Sequence, residues 1–444
     1  MRVNETIMGA SMKKRNQGLQ TKALHAGHTP DSDTGSRAVP IHMTTSYVFK
    51  DTEHAADLFA LKEPGFIYTR LMNPTTDVLE KRLASMHGGA GALAVASGMS
   101  AVFYAVASIA SAGQNIVTGS NLYDGSSTLF RQTLSRFGIE VRFVESSSAD
   151  NFRAAMDQNT RLVYSEAIGN PRCNVDDLPA IAAVAHDHGV PFMLDCTSAP
   201  PPIGDPFGFG ADIAVYSLTK IAGGHGTAMG GAIVEKGDFD WLGNGRFPEI
   251  CAPDPAYNGM SFWEALDCGQ GKARPVFCSK VRAGMLRDTG ATISPMNSFL
   301  IMQGLETLPM RAERHCSNAQ SVAEFLADHP KVDWVNYAGL ADHPDNERAR
   351  KLFPLGPGAV FGFGVTGGLA AGRRFIENVE LCSHLANILD ARTLVIHPAS
   401  TTHSQSSPDK QRDAGVTPDM VRISVGLEDV HDIIADLDQA LSKT

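Results

Sequence analysis

Residues suited to quite different jobs stand where apolar runs of this chain stop. Lys220 follows residues 212–218 (DIAVYSL), sits beside the hydroxyls of Ser217 and Thr219, and leads into the glycine-rich run IAGGHGTAMGG. In an open α/β sheet, ligands bind beyond the C-terminal ends of the strands. An amine carried there on a short turn can serve as nucleophile or base, whereas a lysine elsewhere is by default a solvated surface residue. Ser97-Gly98-Met99-Ser100 joins an apolar run to a helical one, so the Gly98 and Met99 amides fall at a helix N-terminus. Unpaired amides and the helix dipole suit a phosphate dianion there; Ser97 fits a plain N-cap equally well. Asp195 closes the run VPFML, and Glu166 and Asn170, in SEAIGNP, close the preceding one. A carboxylate at such a place needs a charged or N–H partner, because an unpaired buried charge is costly.

The elements that must position these groups follow from periodicity. Residues 76–89 put Leu79, Leu83 and Met86 at helical spacing and end in glycine, a helix with its stop signal. Residues 92–96, 115–118, 140–144, 161–165, 190–194, 212–218 and 228–234 read as strands. Between them, 99–112, 129–137 and 177–188 read as helices. Such alternation predicts a mostly parallel sheet covered on both faces. Beyond about residue 290 the rhythm changes to a long amphipathic helix over 296–326. Strands at 334–337, 359–365, 394–396 and 421–425 and a closing helix at 430–441 follow, a smaller α/β unit. The domain reading is therefore an N-terminal arm over 1–66 that contacts a neighbouring subunit, a large cofactor-binding domain over 67–290 and a small C-terminal domain over 291–444. The Pro/Gly/Cys-rich segment 247–274 is a candidate active-site loop.

Other patterns fail on context. Ser217-Leu218-Thr219-Lys220 has the S-x-x-K spacing of serine β-lactamases, but it closes a strand rather than opening a helix and has no KTG or SDN companion. GAGALA at 89–94 follows a helix, not a strand, and so does not suit a dinucleotide fingerprint. His397 and His403 lie in a proline-flanked loop and read as structural; no metal is expected. A lysine, a phosphate cradle and a carboxylate at one sheet edge are instead what pyridoxal 5'-phosphate (PLP) requires. The lysine links to the cofactor, the cradle holds its phosphate, and the carboxylate keeps the pyridine nitrogen protonated.

The motifs YTRLMNPT (68–75), SGMSA, NLYDG (121–125), the D-C-T of 195–197, SLTKIAGGH, HPASTTHSQ (397–405) and VRISVGLED (421–429) resemble the Cys/Met-metabolism class of PLP enzymes from about Thr21 to Leu441. HGTAMGG, GLETLPMRAERHC and TTHSQ are most similar to its O-acetylhomoserine sulfhydrylase branch. The resemblance implies an aspartate-aminotransferase-like fold (fold type I), with a mostly parallel large domain and a smaller α/β C-terminal domain. It implies Lys220 as the Schiff-base lysine, Asp195 as the pyridinium partner and Tyr123 as the residue stacked on the ring. Gly98, Met99, Thr197, Ser217 and Thr219 are implied to hold the cofactor, joined by Tyr68 and Arg70 of a neighbouring subunit. Tyr68 and Tyr123 are also implied in catalysis. Arg422 is implied to clamp the substrate carboxylate, with Asn170 and Asn387 beside it; a structural ion pair is the plainer reading of that arginine.

The implied reaction is γ-replacement on O-acetyl-L-homoserine by sulfide or a small thiol, in a homotetramer assembled as a dimer of dimers. Cystathionine γ-synthase, O-succinylhomoserine sulfhydrylase and methionine γ-lyase are alternatives within the class. An NAD-type oxidoreductase outside it leaves Lys220 and Arg422 without work. The sequence departs from the common pattern at Asp124 (LYDGS for LYGGT), at Leu218 (SLTK for SATK) and at Leu389, where relatives usually carry glycine. Each departure is expected to reshape the pocket.

The bulk properties fit this reading. The net charge of -10 argues against broad nucleic-acid or anionic-membrane surfaces. The seven cysteines include no CxxC pair, which fits a reducing compartment. No run approaches the ~18 apolar residues of a membrane span, and the first 20 residues lack the apolar core of a signal peptide. A cytoplasmic protein is expected, with no nucleic-acid or membrane partner.

Overall fold

A seven-stranded sheet carries the strand ends singled out above. The computed structural model describes residues 17–243, 245–405, 407, 411 and 415–444; the first 16 residues of the expected arm lie outside that range. The strands are β1 (Gly91–Val95), β2 (Asn115–Gly119), β3 (Glu140–Val144), β4 (Thr160–Glu166), β5 (Phe192–Asp195), β6 (Ile213–Ser217) and β7 (Gly231–Glu235), in spatial order β1-β7-β6-β5-β4-β2-β3. From β3 to β6 every pairing is parallel, while β7 runs antiparallel to both β6 and β1. An antiparallel return needs no helical crossover, so the chain from β6 to β7 is free to be the Lys220 loop. Strands β2, β4 and β7 are almost wholly buried, as expected of strands covered on both faces.

Local signals fix the helices that matter. Asn73 caps the helix Pro74–His87 by accepting from the Thr75 N–H, proline stands in its first turn, and Gly88 ends it at φ 68°. Ser97 caps the helix Gly98–Ile109 through the Ser100 N–H. The expected helix at 129–137 begins earlier, as Asp124–Thr128, passes through a π-turn at Leu129–Thr133 and ends at Leu134–Arg136. The helices Ala149–Ala155, Asn346–Leu352 and Gly368–Asn378 were not expected from the sequence. The first two are short, and the third contains two glycines, Gly368 and Gly372, and lacks a side-chain cap, so local signals are weak.

The second sheet comprises β8 (Val332–Asn336), β9 (Val360–Val365), β10 (Ser383–His384), β11 (Leu394–Ile396) and β12 (Met420–Ser424), in order β10-β11-β12-β9-β8. All its pairings are antiparallel except β10 with β11. The 33-residue helix Pro295–Ala327 ties the two sheets together, packing on the helix Pro74–His87 and also on β8 and the closing helix Val430–Ser442.

Ahead of the first sheet, the helices Leu19–His25 and Thr52–Phe59 are joined by mostly exposed chain, with Val48 at 98% exposure. The segment 247–274 departs from its expected role. It folds into the short helices Pro248–Cys251, Pro255–Tyr257 and Phe262–Ala265, and it contributes nothing to the cavity that holds Lys220. Its aromatic and aliphatic residues are the reason: Phe247, Ile250 and Phe262 are buried, and Phe247 packs edge-on against Trp241.

Candidate active site

A cavity of about 250 Å³ opens at the C-terminal ends of β4, β5 and β6 and is closed on the other side by the second sheet. Lys220 enters it from the turn after β6. Its Nζ donates to Asn387 Oδ1 at 2.5 Å. Burial, and then the nearby charge of Arg422, hold the Lys220 amine below the usual lysine range, which favours the unprotonated base. Arg311 fixes the turn itself. Its buried guanidinium donates to the carbonyls of Ile221 (2.7 Å), Ala222 (3.2 Å) and Gly304 (2.7 Å). Leu218 is fully buried and lies near Gly230, whose neighbours include Ile293 and Ile301. It therefore fills core beneath the lysine rather than lining the cavity.

Asp195 ends β5 inside the same cavity. The Thr197 N–H donates to its Oδ1 at 2.9 Å and the Tyr164 hydroxyl to its Oδ2 at 3.3 Å. Burial pushes the carboxyl upward, and both donors pull it back toward the charged form. The Thr197 hydroxyl in turn accepts the Ser217 N–H at 2.8 Å, which links β5 to β6 at the point where Ser217 faces the cavity. Thr219 also lines the cavity, but its hydroxyl donates to the Gly230 carbonyl at 3.3 Å and accepts the Gly230 N–H at 3.1 Å.

Gly98 and Met99 stand at the first two positions of their helix, where amides have no intrahelical acceptor. A Cβ at Gly98 would come within 2.7 Å of Ser217 Cβ. The helix start is thus seated against β6 at a spacing that only glycine permits. This leaves the Gly98 and Met99 amides, the Ser217 hydroxyl, the Lys220 amine and the Asp195 carboxyl around one space. The donor set fits PLP: amides and hydroxyl for the phosphate, an amine for the aldehyde carbon, a carboxyl for the ring nitrogen. Tyr123 lines the space and is 49% exposed as a residue, which leaves room for a planar group to cover it.

The opposite wall comes from the second sheet. Arg422, in β12, donates to Asn170 Oδ1 at 3.3 Å, and no carboxylate pairs with it among the described residues. Asn387 and Ile388 complete that wall. The plainer expectation of a structural ion pair for Arg422 thus finds no partner among the described residues.

Tyr68 and Arg70 do not line the cavity of their own chain. The Arg70 guanidinium lies 5.3 Å from the centre of the Tyr68 ring, and Tyr68 is 42% exposed. Asp124 and Leu389, like Leu218, were expected to reshape the pocket but do not line it. Asp124 is exposed at the start of its helix. Leu389 is fully buried and holds φ 56°, a left-handed backbone that explains why glycine suits this position. Its N–H donates to Ser424 Oγ at 2.6 Å, tying the Asn387 loop to β12. Sequence reasoning missed Tyr164 and Arg311. Tyr164 is hidden inside an apolar strand, and Arg311 lies in the middle of the long helix Pro295–Ala327, where no neighbouring residue marks its distant partners.

The family described as Cys/Met metabolism PLP-dependent enzymes matches residues 20–442. The chain is 51% identical over 440 residues to the O-acetyl-L-homoserine sulfhydrylase of Leptospira meyeri, covering 98% of each chain. It is 50% identical to O-acetyl-L-homoserine sulfhydrylase 1 of Thermus thermophilus, over 96% of this chain and 100% of the relative. Among solved structures, a Campylobacter jejuni protein provisionally named an O-acetylhomoserine (thiol)-lyase superposes with a TM-score of 0.91 at 39% identity. That superposition covers 96% of this chain and 100% of the other, which carries a pyridoxyl-lysine phosphate.

Proposed function

The chain belongs to the Cys/Met metabolism family of PLP-dependent enzymes and has their fold, and on that premise we propose that it joins O-acetyl-L-homoserine and sulfide, or a small thiol, into L-homocysteine or its thioether with release of acetate. The observation that carries the reading is the meeting of Lys220 and Arg422 in one cavity, the first with a lowered pKa and the second without an acidic partner among the described residues. The names of the relatives at about half identity supply the acyl group and the nucleophile.

The chain's own groups then divide the work. Gly98, Met99 and Ser217 would hold the phosphate end of PLP, with Thr219 joining them once its hydroxyl turns from the Gly230 carbonyl. Thr197 and Asp195 would hold the cofactor ring, and Tyr123 would cover its face. Bound there, PLP acts as an electron sink that acidifies protons next to the substrate amine. Arg422 takes the substrate α-carboxylate; its planar guanidinium gives two parallel hydrogen bonds that a lysine lacks. Asn170 fixes the guanidinium from behind. Lys220 Nζ would take the α-proton and hand it on to bound PLP, and the amine so freed would take a proton at Cβ, after which acetate leaves from Cγ. Asn387 Oδ1 steers that amine between the two carbons. Sulfide adds at Cγ, the Lys220 ammonium would return its proton to Cβ, and the amine would then carry the first proton back to Cα. Tyr68 and Arg70, exposed and outside the lining of their own cavity, serve the phosphate of a neighbouring subunit, with Tyr68 also assisting the chemistry there.

The working unit in this proposal is a homotetramer in the cytoplasm, built from an arm over 1–66, a cofactor domain over 67–290 and a small domain over 291–444. Among the described residues no helix is long and apolar enough to cross a membrane. The test is product analysis with O-acetyl- and O-succinylhomoserine, each given sulfide or cysteine. Homocysteine from the acetyl ester and sulfide alone is the expected result. Cystathionine from the succinyl ester, or 2-oxobutyrate and ammonia without any thiol, overturns it.

A further inference from the structure

Glu166 is the acid of this cavity for which the reaction above has no use. It ends β4 directly beside Asp195 at the end of β5, the two being register partners in the parallel pair. It is buried at 8% exposure, lines the cavity, and has no Lys or Arg partner among the described residues. Two acids side by side at a buried sheet edge oppose each other and cost stability, so the second one calls for a role.

Its contact supplies one. Glu166 Oε1 accepts the backbone N–H of Tyr123 at 2.7 Å. Tyr123 stands at the N-cap of the helix Asp124–Thr128 and has no side-chain cap of its own. A Cβ on Gly125 would strike the Tyr123 ring, so the ring lies folded against that glycine. The ring therefore has a neighbour that leaves it room and a backbone anchored from the end of β4. We propose that Glu166 is a positioning residue acting through Tyr123: its carboxyl holds the Tyr123 N–H and thereby sets where the ring stands over the cavity. The inference rests on the reading of this cavity as the PLP site.

The chemistry of the acceptor sharpens it. Burial, and then the charge of Asp195, push the Glu166 carboxyl well above its ordinary range. That shift favours the neutral form of Glu166, against the pull of the Tyr123 N–H toward the charged one. A glutamine, equally long and with a carbonyl oxygen, is a sufficient replacement; an alanine or methionine is not.

The test is PLP titration of the cofactor-depleted full-length chain, read as a dissociation constant and as visible circular dichroism of the bound cofactor. Glu166→Gln is expected within about threefold of the unaltered chain, and Glu166→Ala about 10- to 100-fold weaker with a changed dichroic band. Tyr123→Ala weakens binding as well, and the double variant Glu166→Ala/Tyr123→Ala is expected to bind no more weakly than Tyr123→Ala alone. Glu166→Met, of similar length, stands in if the alanine variant does not fold, with the unfolding midpoint of the depleted protein as the check. Multiplying effects in the double variant, normal binding by Glu166→Ala or Glu166→Met, or a glutamine variant as weak as alanine each overturn the proposal. An unaltered chain that fails to bind PLP at all removes the cofactor reading instead.

Discussion

The two walls of the cavity are made in different ways. The wall at the large sheet gathers groups from strand ends, where Asp195, Ser217 and Lys220 stand beside one another because β5 and β6 are parallel neighbours. The wall at the small sheet gathers Asn387 from a loop and Arg422 from the middle of an antiparallel strand. The first is fixed by backbone ladders and by a glycine that lets the helix Gly98–Ile109 sit on β6. The second is held by longer-range ties: the Leu389 amide on Ser424, the Ala391 amide on the Gly224 carbonyl, and the Lys220 amine on Asn387. A rigid wall suits a cofactor that stays; a wall tied through loops suits a substrate that comes and goes.

The comparison breaks if losses on the two walls look alike. The largest effect is expected for Lys220→Ala, on the cofactor wall. Turnover should fall by more than about 10³-fold, and borohydride should no longer fix PLP to the chain; normal rates sink the scheme. Arg422→Lys, on the other wall, should raise KM for the amino acid about 10- to 100-fold, the worth of a charge-assisted hydrogen bond. Its PLP affinity should stay within about twofold, and a loss of cofactor there would erase the division of labour.

Gly98→Ala tests the cofactor wall without touching charge. The new Cβ meets Ser217, so overpacking of about 1–3 kcal/mol should appear in the unfolding midpoint together with weaker PLP binding. Leu389→Gly sets two effects on the small-sheet wall against each other. Relief of the left-handed backbone is worth about 1–2 kcal/mol, while emptying a fully buried leucine site costs about 2–5 kcal/mol. A net loss of about 1–3 kcal/mol in urea unfolding is expected, and a gain would mean the leucine packs poorly.

The smallest contrast is expected in acid, where the walls should agree. His87 lies under the large sheet, bonded to the Tyr216 hydroxyl, and His315 behind the small one, bonded to the Val425 carbonyl. Burial lowers both from 6.5 to about 4. Between those values the unfolded chain binds protons that the folded chain refuses, so stability is present above 6.5 and is lost as pH falls toward 4. Replacing either histidine by Asn should flatten the acid limb of the unfolding midpoint; a slope unchanged in both variants refutes the assignment.

Much of the cofactor wall was legible in the sequence. A β-branched run followed by a lysine and glycines, an apolar run ended by an aspartate, and a serine cap before a helix are local signals, each produced by neighbouring residues. The parallel direction of most strands followed from their alternation with helices, while their spatial order and the antiparallel return of β7 did not. The segment 247–274 misled because irregular composition says nothing about which side of the fold a loop covers. Its buried Phe247 and Phe262 belong to packing that has no short-range pattern.

By itself, then, the sequence determined the strand-end chemistry and, through its motifs, the class of cofactor. Periodicity, capping and turn residues act over a few positions and leave their mark there. Only the tertiary structure decided that Arg422 faces Asn170 across 252 positions of chain, that Arg311 grips the carbonyls after Lys220, and that Glu166 reaches the Tyr123 amide. Those contacts depend on which strands become neighbours and how far a helix can approach, and they are set by burial across the whole chain rather than by any stretch of it.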